Sequence, residues 1–443
     1  MAGNFVQLHN HTHYSLLDGA SKVPDLVKRV KELGMPAVGI TDHGNMHGAY
    51  ELWRAAVDSG VKPIIGIEAY VTPETARQDK TRVSWDTNWT PVPGHARNPD
   101  DVSGGGLITH LTMWAENDEG LVNLIKASSV ANLEGRVMRY PRMDKEVLST
   151  YSKGVIASSG CPSGIIQTRL RLGQFDEALR AAGEFQDIFG KDNFYIELMD
   201  HGLSIESKVT GDLLTIAKKL GAPLLATNDS HYVMEADKDA QDAMLCINSG
   251  ATLDDPNRFK FEGSGYYIKS AEEMRELFKD HPDACDNTLE IAERCNVIFD
   301  DHEDGAFMPQ FDCPEGWDET SLFLKKVEEG LEKRYDGNPP MEVLKQADYE
   351  CGVICQMQLL PRRGRLHQLG EGARRDGGPG ARLRRRGHGR LCDGHHRARS
   401  AQARPDLREV PEPRACVPAR YRRRLRSRRP HARAGLCGRQ VRP

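Results

Sequence analysis

The sequence lacks the segments that would place it in or across a membrane. It contains no run of about eighteen apolar residues, the length a membrane-spanning helix needs. Its first residues, MAGNFVQLHNHTHYS, contain no basic segment followed by an apolar one, as a secretory leader has. Its ten cysteines are scattered without a CxxC pair, which excludes the disulfide framework of small secreted proteins. These absences predict a cytoplasmic protein with no membrane partner.

Lysine is missing from the last part of the chain. Residues 358–443 contain 25 arginines, no lysine and six acidic residues. Residues 1–357 instead contain an excess of acidic residues, so the formal net charge of −4 describes neither part. A segment of Arg, Pro and Gly without apolar periodicity cannot bury enough surface to offset its ordering entropy. We therefore expect residues 358–443 to be disordered.

The first 280 or so residues alternate between two patterns. Short apolar runs rich in Val and Ile, such as PAVGI and VKPIIGIEAYV, predict strands, and amphipathic stretches at residues 23–33 and 175–189 predict helices. Repeated strand and helix units favour an α/β fold with a mostly parallel sheet, either open or closed into a barrel.

Beyond this region the pattern becomes helical, at residues 271–278, 284–295 and 321–335. A polar stretch, IFDDHEDGAFMPQFDCPEG, separates the last two. We place the first domain boundary near Asp280. The sequence thus predicts a first domain over 1–280, a linker with the start of a second unit over 281–357, and the tail over 358–443.

Residues of the types that commonly bind metals follow several of the predicted strands. His9 and His11 form an HxH pair, and two side chains at i and i+2 of a strand project to the same face. The carboxyl ends of parallel strands meet at one edge of such folds, where their chemistry is found. Seven further residues of ligand type stand at such positions: Asp18, His43, Glu68, His110, Cys161, Asp229 and His231.

Each of these residues alone has an ordinary structural explanation. A single His or Asp at a strand end usually forms hydrogen bonds or caps a helix, and a buried Cys usually packs. Together, nine N, O and S ligands exceed what one ion takes, so we predict two or three divalent metal ions. The mixed ligand set suits Mn, Zn or Fe. Such clusters activate water and neutralise phosphoryl oxygens, which points to phosphate ester hydrolysis.

Four segments resemble a known family closely. LHNHTHYSLLDGASKVPDLV, MPAVGITDHGNMHGAYE, GVKPIIGIEAYV and LLATNDSHYV are similar to the polymerase and histidinol phosphatase (PHP) domain at the amino terminus of bacterial DNA polymerase III alpha subunits. The resemblance covers essentially all of residues 1–357. It implies a distorted, TIM-like (β/α) barrel followed by an incomplete start of the polymerase palm.

The resemblance also implies roles for the site residues. One ion would be held by His9, His11, Glu68 and Asp229, a second by Glu68, His110 and Cys161, and a third by Asp18, His43 and His231. All nine positions carry the ligand types that the family uses. The resemblance therefore implies a 3′ to 5′ exonuclease in which Glu68, His11 and Asp229 are catalytic. It implies single-stranded or primer-template DNA and replisome subunits as partners.

The resemblance ends after Met357. The family would continue with GYFLVVADFINWAK, whereas this chain continues QLLPRRGRLHQLGEG. An Arg-rich arm that binds nucleic acid is one explanation. We favour a shift of reading frame, because dropping one base from permitted codons for residues 359–370 restores YFLVVADFINW. Under this hypothesis the chain is truncated before the polymerase active site and incorporates no nucleotides.

Two other functions remain open from the sequence. The metals could hold the barrel together as a structural module that supports a polymerase and its partners without catalysis. The chain could also be a free-standing small-molecule phosphatase, although the polymerase-like sequence after the barrel argues against this. The complete ligand set favours the enzyme.

Overall fold

The computed structural model describes residues 5–91, 98–263, 265–299 and 312–356. These residues fall into two compact units, divided at residue 301. The predicted disorder of residues 358–443 lies outside the described residues. None of the described helices is long and apolar enough to span a membrane.

The first unit is built around eight strands and eleven helices. The strands are β1 (Ala37–Ile40), β2 (Lys62–Val71), β3 (Thr109–Ala115), β4 (Arg136–Val137), β5 (Tyr140–Met143), β6 (Val155–Ser158), β7 (Phe194–Leu198) and β8 (Leu224–Ala226). The helices are α1 (Val23–Glu32), α2 (Ala49–Ser59), α3 (Ser103–Gly106), α4 (Asp118–Glu134), α5 (Lys145–Thr150), α6 (Ile165–Arg171), α7 (Phe175–Phe189), α8 (Ser204–Leu220), α9 (Lys238–Ser249), α10 (Ala271–Leu277) and α11 (Pro282–Arg294).

Six of the eight strands form a closed ring, while β4 pairs with β5 and β5 adds to the end of β2. β1 pairs with β2, and the sheet continues from β2 through β3, β6 and β7 to β8. The extended segment 5–11 closes it, because Gly39 N donates to Gln7 O (2.8 Å) on one side and Ser230 N donates to His9 O (3.1 Å) on the other. The α/β fold class predicted from the sequence is confirmed, and the sheet is closed into a barrel.

One strand of the ring runs against the others. β3 is antiparallel to both of its neighbours, β2 and β6, whereas β1–β2, β6–β7 and β7–β8 are parallel. The amino end of β3 therefore lies at the same edge as the carboxyl ends of the parallel strands. Gly66 lies opposite Trp114 on β3, and a Cβ at Gly66 would come within 2.5 Å of the Met113 carbonyl oxygen and 2.7 Å of the indole, so the close approach of β3 requires glycine there.

The interior of the barrel is apolar at one end. One buried cluster takes side chains from every segment of the ring, two from α11 and one from the residue that follows it: Val6, Leu8, Ala37, Ile64, Trp114, Ile156, Tyr195, Leu225, Ile291, Ala292 and Cys295. Helix α11 thus packs against this end of the barrel. Its Thr288 hydroxyl accepts a hydrogen bond from Val6 N, and Asn287 donates to Leu224 O.

The predicted helices of the first unit are present where the apolar periodicity placed them. α1 buries Val23, Leu26, Val27 and Val30, and α7 spans the predicted residues 175–189. α11 lies beyond the predicted boundary near Asp280 yet belongs to the first compact unit. The domain limits 1–280, 281–357 and 358–443 stay predictions.

The described part of the second unit is a helix pair. α12 (Glu319–Arg334) begins at Asp318, whose side chain accepts from Ser321 N, and α13 (Met341–Gln356) follows. The two helices pack through Leu331 and Leu344, with Val327 and Tyr335 against them. The predicted start of a polymerase palm stays a prediction.

Candidate metal centre

The nine residues predicted as ligands converge at one edge of the barrel. His9 and His11 lie on the closing segment, and Glu68 lies within β2. The others stand in the loops after β1, β6 and β8, in the loop after the closing segment, or on β3. His110 differs from the prediction, because it lies at the beginning of its strand. The reversed direction of β3 brings it to the same edge.

The first implied group surrounds Asp229. Its Oδ1 lies 3.0 Å from His11 Nε2 and 3.3 Å from His9 Nε2. Both imidazole nitrogens also lie 3.5 Å from the carboxylate of Glu68. Four side chains from three separate segments therefore bring their ligating atoms close together.

The third implied group surrounds His43. Its Nε2 lies 2.8 Å from Asp18 Oδ2 and its Nδ1 lies 2.6 Å from Glu68 Oε2. His231 Nε2 lies 3.7 Å from the other oxygen of Asp18. All are within the roughly 6 Å that two ligands of one ion allow. The contact between His43 and Glu68 joins this group to the first.

The second implied group completes the centre. His110 Nδ1 lies 3.2 Å from Glu68 Oε1 and 3.4 Å from Cys161 Sγ. The Glu68 carboxylate is completely buried and faces all three groups. Its position is the one expected of a bridging carboxylate.

The donor atoms of the centre fit metal ions. Buried polar atoms are normally hydrogen-bonded, yet several atoms here make no hydrogen bond of normal geometry among the described residues, although they lie within ion-pair distance of one another. They are His9 Nε2, His11 Nε2, Asp18 Oδ1, His43 Nδ1, Glu68 Oε1 and Oε2, Asp229 Oδ1 and His231 Nε2. They point at one another across a small volume. A divalent cation would satisfy them, because imidazole nitrogens and carboxylate oxygens are its usual ligands.

The protonation states differ among the proposed ligands. Burial and the nearby imidazoles of His43 and His231 lower the pKa of His11 to about 3. Burial opposes ionisation of Glu68, but the imidazoles of His110 and His43 outweigh it and hold the Glu68 pKa well below its usual value. His11 and Glu68 are thus in the states in which these groups bind metal. Burial opposes the shift, but neighbouring acidic groups hold the pKa values of His9 and His43 well above their usual value, so these two imidazoles must lose a proton when metal binds.

Sequence analysis did not single out Glu197, which orients His9. Its Oε1 lies 2.7 Å from His9 Nδ1, and Thr227 and Ser158 donate hydroxyl hydrogen bonds to the same carboxylate. This directs Nε2 of His9 towards the donor cluster. The signal in the sequence was a lone Glu within the apolar strand FYIEL, two residues after the inward-facing Tyr195.

Asp42 was also missed, and it supports the loop that follows His11. It is completely buried and accepts hydrogen bonds from Thr12 N and from the hydroxyls of Thr12 and Ser15. The Ser15 hydroxyl in turn lies 3.0 Å from His11 Nδ1. Through the Ser15 hydroxyl, Asp42 thereby orients the imidazole of His11.

Asp229 occupies a strained backbone conformation. Its φ is +42°, a region that side chains other than Gly enter at a cost of about 1 kcal/mol or more. Asn228 anchors the loop by donating to Gly265 O and Tyr267 O, both at 2.8 Å. Non-glycine residues in such conformations concentrate at functional sites.

Much of the chain is similar to known proteins. The family described as PHP domain matches residues 7–201. DNA polymerase III subunit alpha of Mycobacterium leprae is 50% identical over 353 residues, 80% of this chain and 29% of the relative. The alpha subunit of Saccharopolyspora erythraea is 50% identical over 351 residues, which are 79% of this chain and 29% of the relative. The alpha subunit of Borreliella burgdorferi is 39% identical over 357 residues, which are 80% of this chain and 29% of the relative.

The chain therefore spans less than a third of the length of these relatives. The match to them extends well beyond the PHP segment and takes in most of the described residues. Residues 7–201 match the family described as PHP domain, in a chain that is similar over about four-fifths of its length to DNA polymerase III alpha subunits.

Proposed function

We propose that this chain hydrolyses phosphodiester bonds of DNA, using divalent ions held by the nine-residue centre. The observation that carries the proposal is the set of buried, unpartnered donor atoms that face one another at the edge of the barrel. Bound divalent ions would lower the pKa of a water and neutralise charge on phosphoryl oxygens. Mn, Zn and Fe all suit the donor set.

The protein side chains contribute pre-organisation and charge. Glu68 and Asp229 have pKa values below their usual range, despite burial, because imidazoles surround them. Both therefore stay ionised at neutral pH and can only accept hydrogen bonds, which would orient an entering water. His11 stays neutral under the same conditions. We assign Glu68, His11 and Asp229 as the catalytic group on this basis.

The substrate we propose is a DNA strand attacked from its 3′ end. The relatives carry the name of a DNA polymerase subunit, and an exonuclease on such a chain would remove misincorporated nucleotides. Primer-template DNA and replisome subunits would be its partners, in the cytoplasm. Under the hypothesis of a shifted reading frame, the chain lacks the polymerase metal-binding aspartates, and we then expect it to incorporate no nucleotides.

The test compares cleavage with metal content on the same samples. The full chain is supplied with Mn or Zn and a single-stranded oligonucleotide labelled at its 5′ end. We expect stepwise shortening from the 3′ end, which Glu68→Ala abolishes. A primer-template with nucleotides checks for incorporation, which we expect to be absent.

The main alternative is a structural role for the ions. The complete burial of His9, His11 and Glu68 is compatible with it. In that case the native chain would hold its metals but cleave nothing, and Glu68→Ala would only melt at a lower temperature. Nucleotide release by the native chain, lost in Glu68→Ala, would exclude this alternative.

A further inference from the structure

A pair of phenylalanines extends from the metal centre to the surface. The Phe261 ring packs edge-on against the imidazole of His231, with ring centroids 4.6 Å apart. Phe259 packs edge-on against Phe261 at 5.9 Å. Phe259 is 62% exposed. The pair therefore leads from a proposed ligand to solvent.

The loop that contains Asp18 also presents an apolar side chain to solvent. Leu16 is 78% exposed and stands two residues before Asp18, which contacts His231 across the third group of the centre. The loop of Asp18 and helix α9, which leads into the phenylalanine segment, are joined by a hydrogen bond from Gln241 Nε2 to Asp18 O. Exposed apolar groups thus stand on two connected segments beside the same donors.

Aromatic rings beside a phosphate-handling site suit one ligand chemistry. An unpaired base has an apolar face that stacks on a phenyl ring whatever its sequence, whereas a base within a duplex is already stacked. Lys260 lies between the two phenylalanines in the chain and is exposed, and its cation is complementary to a phosphate backbone. The interleaving of cation and aromatic rings is typical of surfaces that bind single-stranded nucleic acid.

We propose that Phe259, supported by Phe261, stacks on an unpaired base of single-stranded DNA and so positions the strand at the metal centre. This inference rests on the proposed function and identifies a substrate-positioning residue for it. Phe259 does not touch the reacting atoms. It selects an unpaired strand end over a paired one, because only a free base can reach the ring.

The experiment measures binding separately from cleavage. The full chain, loaded with Mn, is titrated into a fluorescent oligothymidylate of about twelve nucleotides whose 3′-terminal linkages are phosphorothioates. A second oligonucleotide has abasic sites in place of its last bases. Phe259→Ala is compared with Phe259→Trp and with Leu133→Ala, which removes an 85% exposed apolar side chain from α4.

We expect Phe259→Ala to raise the Kd for the oligonucleotide with bases about tenfold. It should leave the Kd for the abasic one unchanged. Phe259→Trp should restore native binding, and Leu133→Ala should have no effect. An equal loss on both oligonucleotides, or none on either, would overturn the inference.

The two proposals fail in different ways. If the native chain shortens unmodified DNA while Phe259→Ala binds as tightly as the native chain, the stacking inference alone is wrong. If binding depends on Phe259 and on the bases but no nucleotide is released, hydrolysis is wrong and the stacking inference stands.

Discussion

Nδ1 of His9 lies 2.7 Å from Oε1 of Glu197, and both side chains are completely buried inside the barrel. The pair fixes which imidazole nitrogen faces the donor cluster. Residues that orient a ligand in this way typically contribute 10–100-fold to metal affinity, as an order of magnitude (about 1–3 kcal/mol). Glu197 therefore matters to the centre although it contacts no proposed ion.

We predict that Glu197→Gln weakens metal binding about tenfold or more, because it keeps the size of the side chain but removes its charge. Metal titration of the stripped protein measures this. Glu206→Gln is the matched control, since Glu206 is also buried and lies 2.7 Å from His201 Nδ1, which is not a proposed ligand. Equal affinities in the native protein and Glu197→Gln would remove the orienting role.

Glu68 and Asp18 differ in the number of donors that each contacts. Glu68 lies within 3.5 Å of four imidazoles, and Asp18 lies near two: His9, His11, His43 and His110 for Glu68, His43 and His231 for Asp18.

We therefore predict that Glu68→Ala loses more bound metal than Asp18→Ala. Its exonuclease rate should fall at least about tenfold further, because a bridging carboxylate serves two ions. Metal analysis and nucleotide release on the same samples check both. A greater metal loss in Asp18→Ala would show that Glu68 does not bridge.

Lys269 predicts a pH dependence of stability. Burial lowers its pKa to about 8, although nearby acidic groups such as Glu273 oppose the shift. The unfolded chain, with a lysine pKa of about 10.4, binds more protons than the folded chain between these values. The contribution of Lys269 to the free energy of unfolding therefore rises with pH across this window.

The measurement compares the native chain with Lys269→Met by urea unfolding. The difference in their free energies of unfolding should shift in favour of the native chain by about 2 kcal/mol between about pH 7.5 and pH 9.5. Lys269 Nζ donates to Asn228 Oδ1 at 2.6 Å, so the variant is also expected to lose a constant amount at every pH. If the free energies of unfolding of the two proteins changed equally with pH, the lowered pKa of Lys269 would be refuted.

The packing of helix α11 against the barrel predicts how far the chain can be shortened without loss of stability. A fragment that ends at Asp280 loses α11 and exposes the apolar end of the barrel, including Trp114 and Leu225. A fragment that ends at Phe299 keeps it. Because burying one large apolar side chain contributes about 1.5–3 kcal/mol, we expect the shorter fragment to be less stable by roughly 3 kcal/mol or more.

Thermal melting and binding of a hydrophobic dye distinguish the two fragments. The shorter one should melt at a lower temperature and bind more dye. Identical melting temperatures would mean that α11 contributes nothing to the stability of the barrel. Residues 1–280 would then be sufficient for a stable first domain.

Local patterns in the sequence determined which residues are candidate ligands and where the helices lie. His9, His11, Asp229 and His231 were recognisable because a ligand type directly follows an apolar run, and such runs predict strands. α7 was recognisable because apolar residues recur at helical spacing over residues 175–189. Both signals depend only on neighbours in the chain.

Only the tertiary structure decided how distant segments pair. An alternating strand has the same pattern whether its partner is parallel or antiparallel, so the reversal of β3 could not be predicted, and His110 was placed at the wrong end of its strand. Glu197 became part of the centre because β7 pairs beside β6 and β8 with that side chain inward. α11 has an ordinary amphipathic pattern, and only the open end of the barrel determines what its apolar face covers.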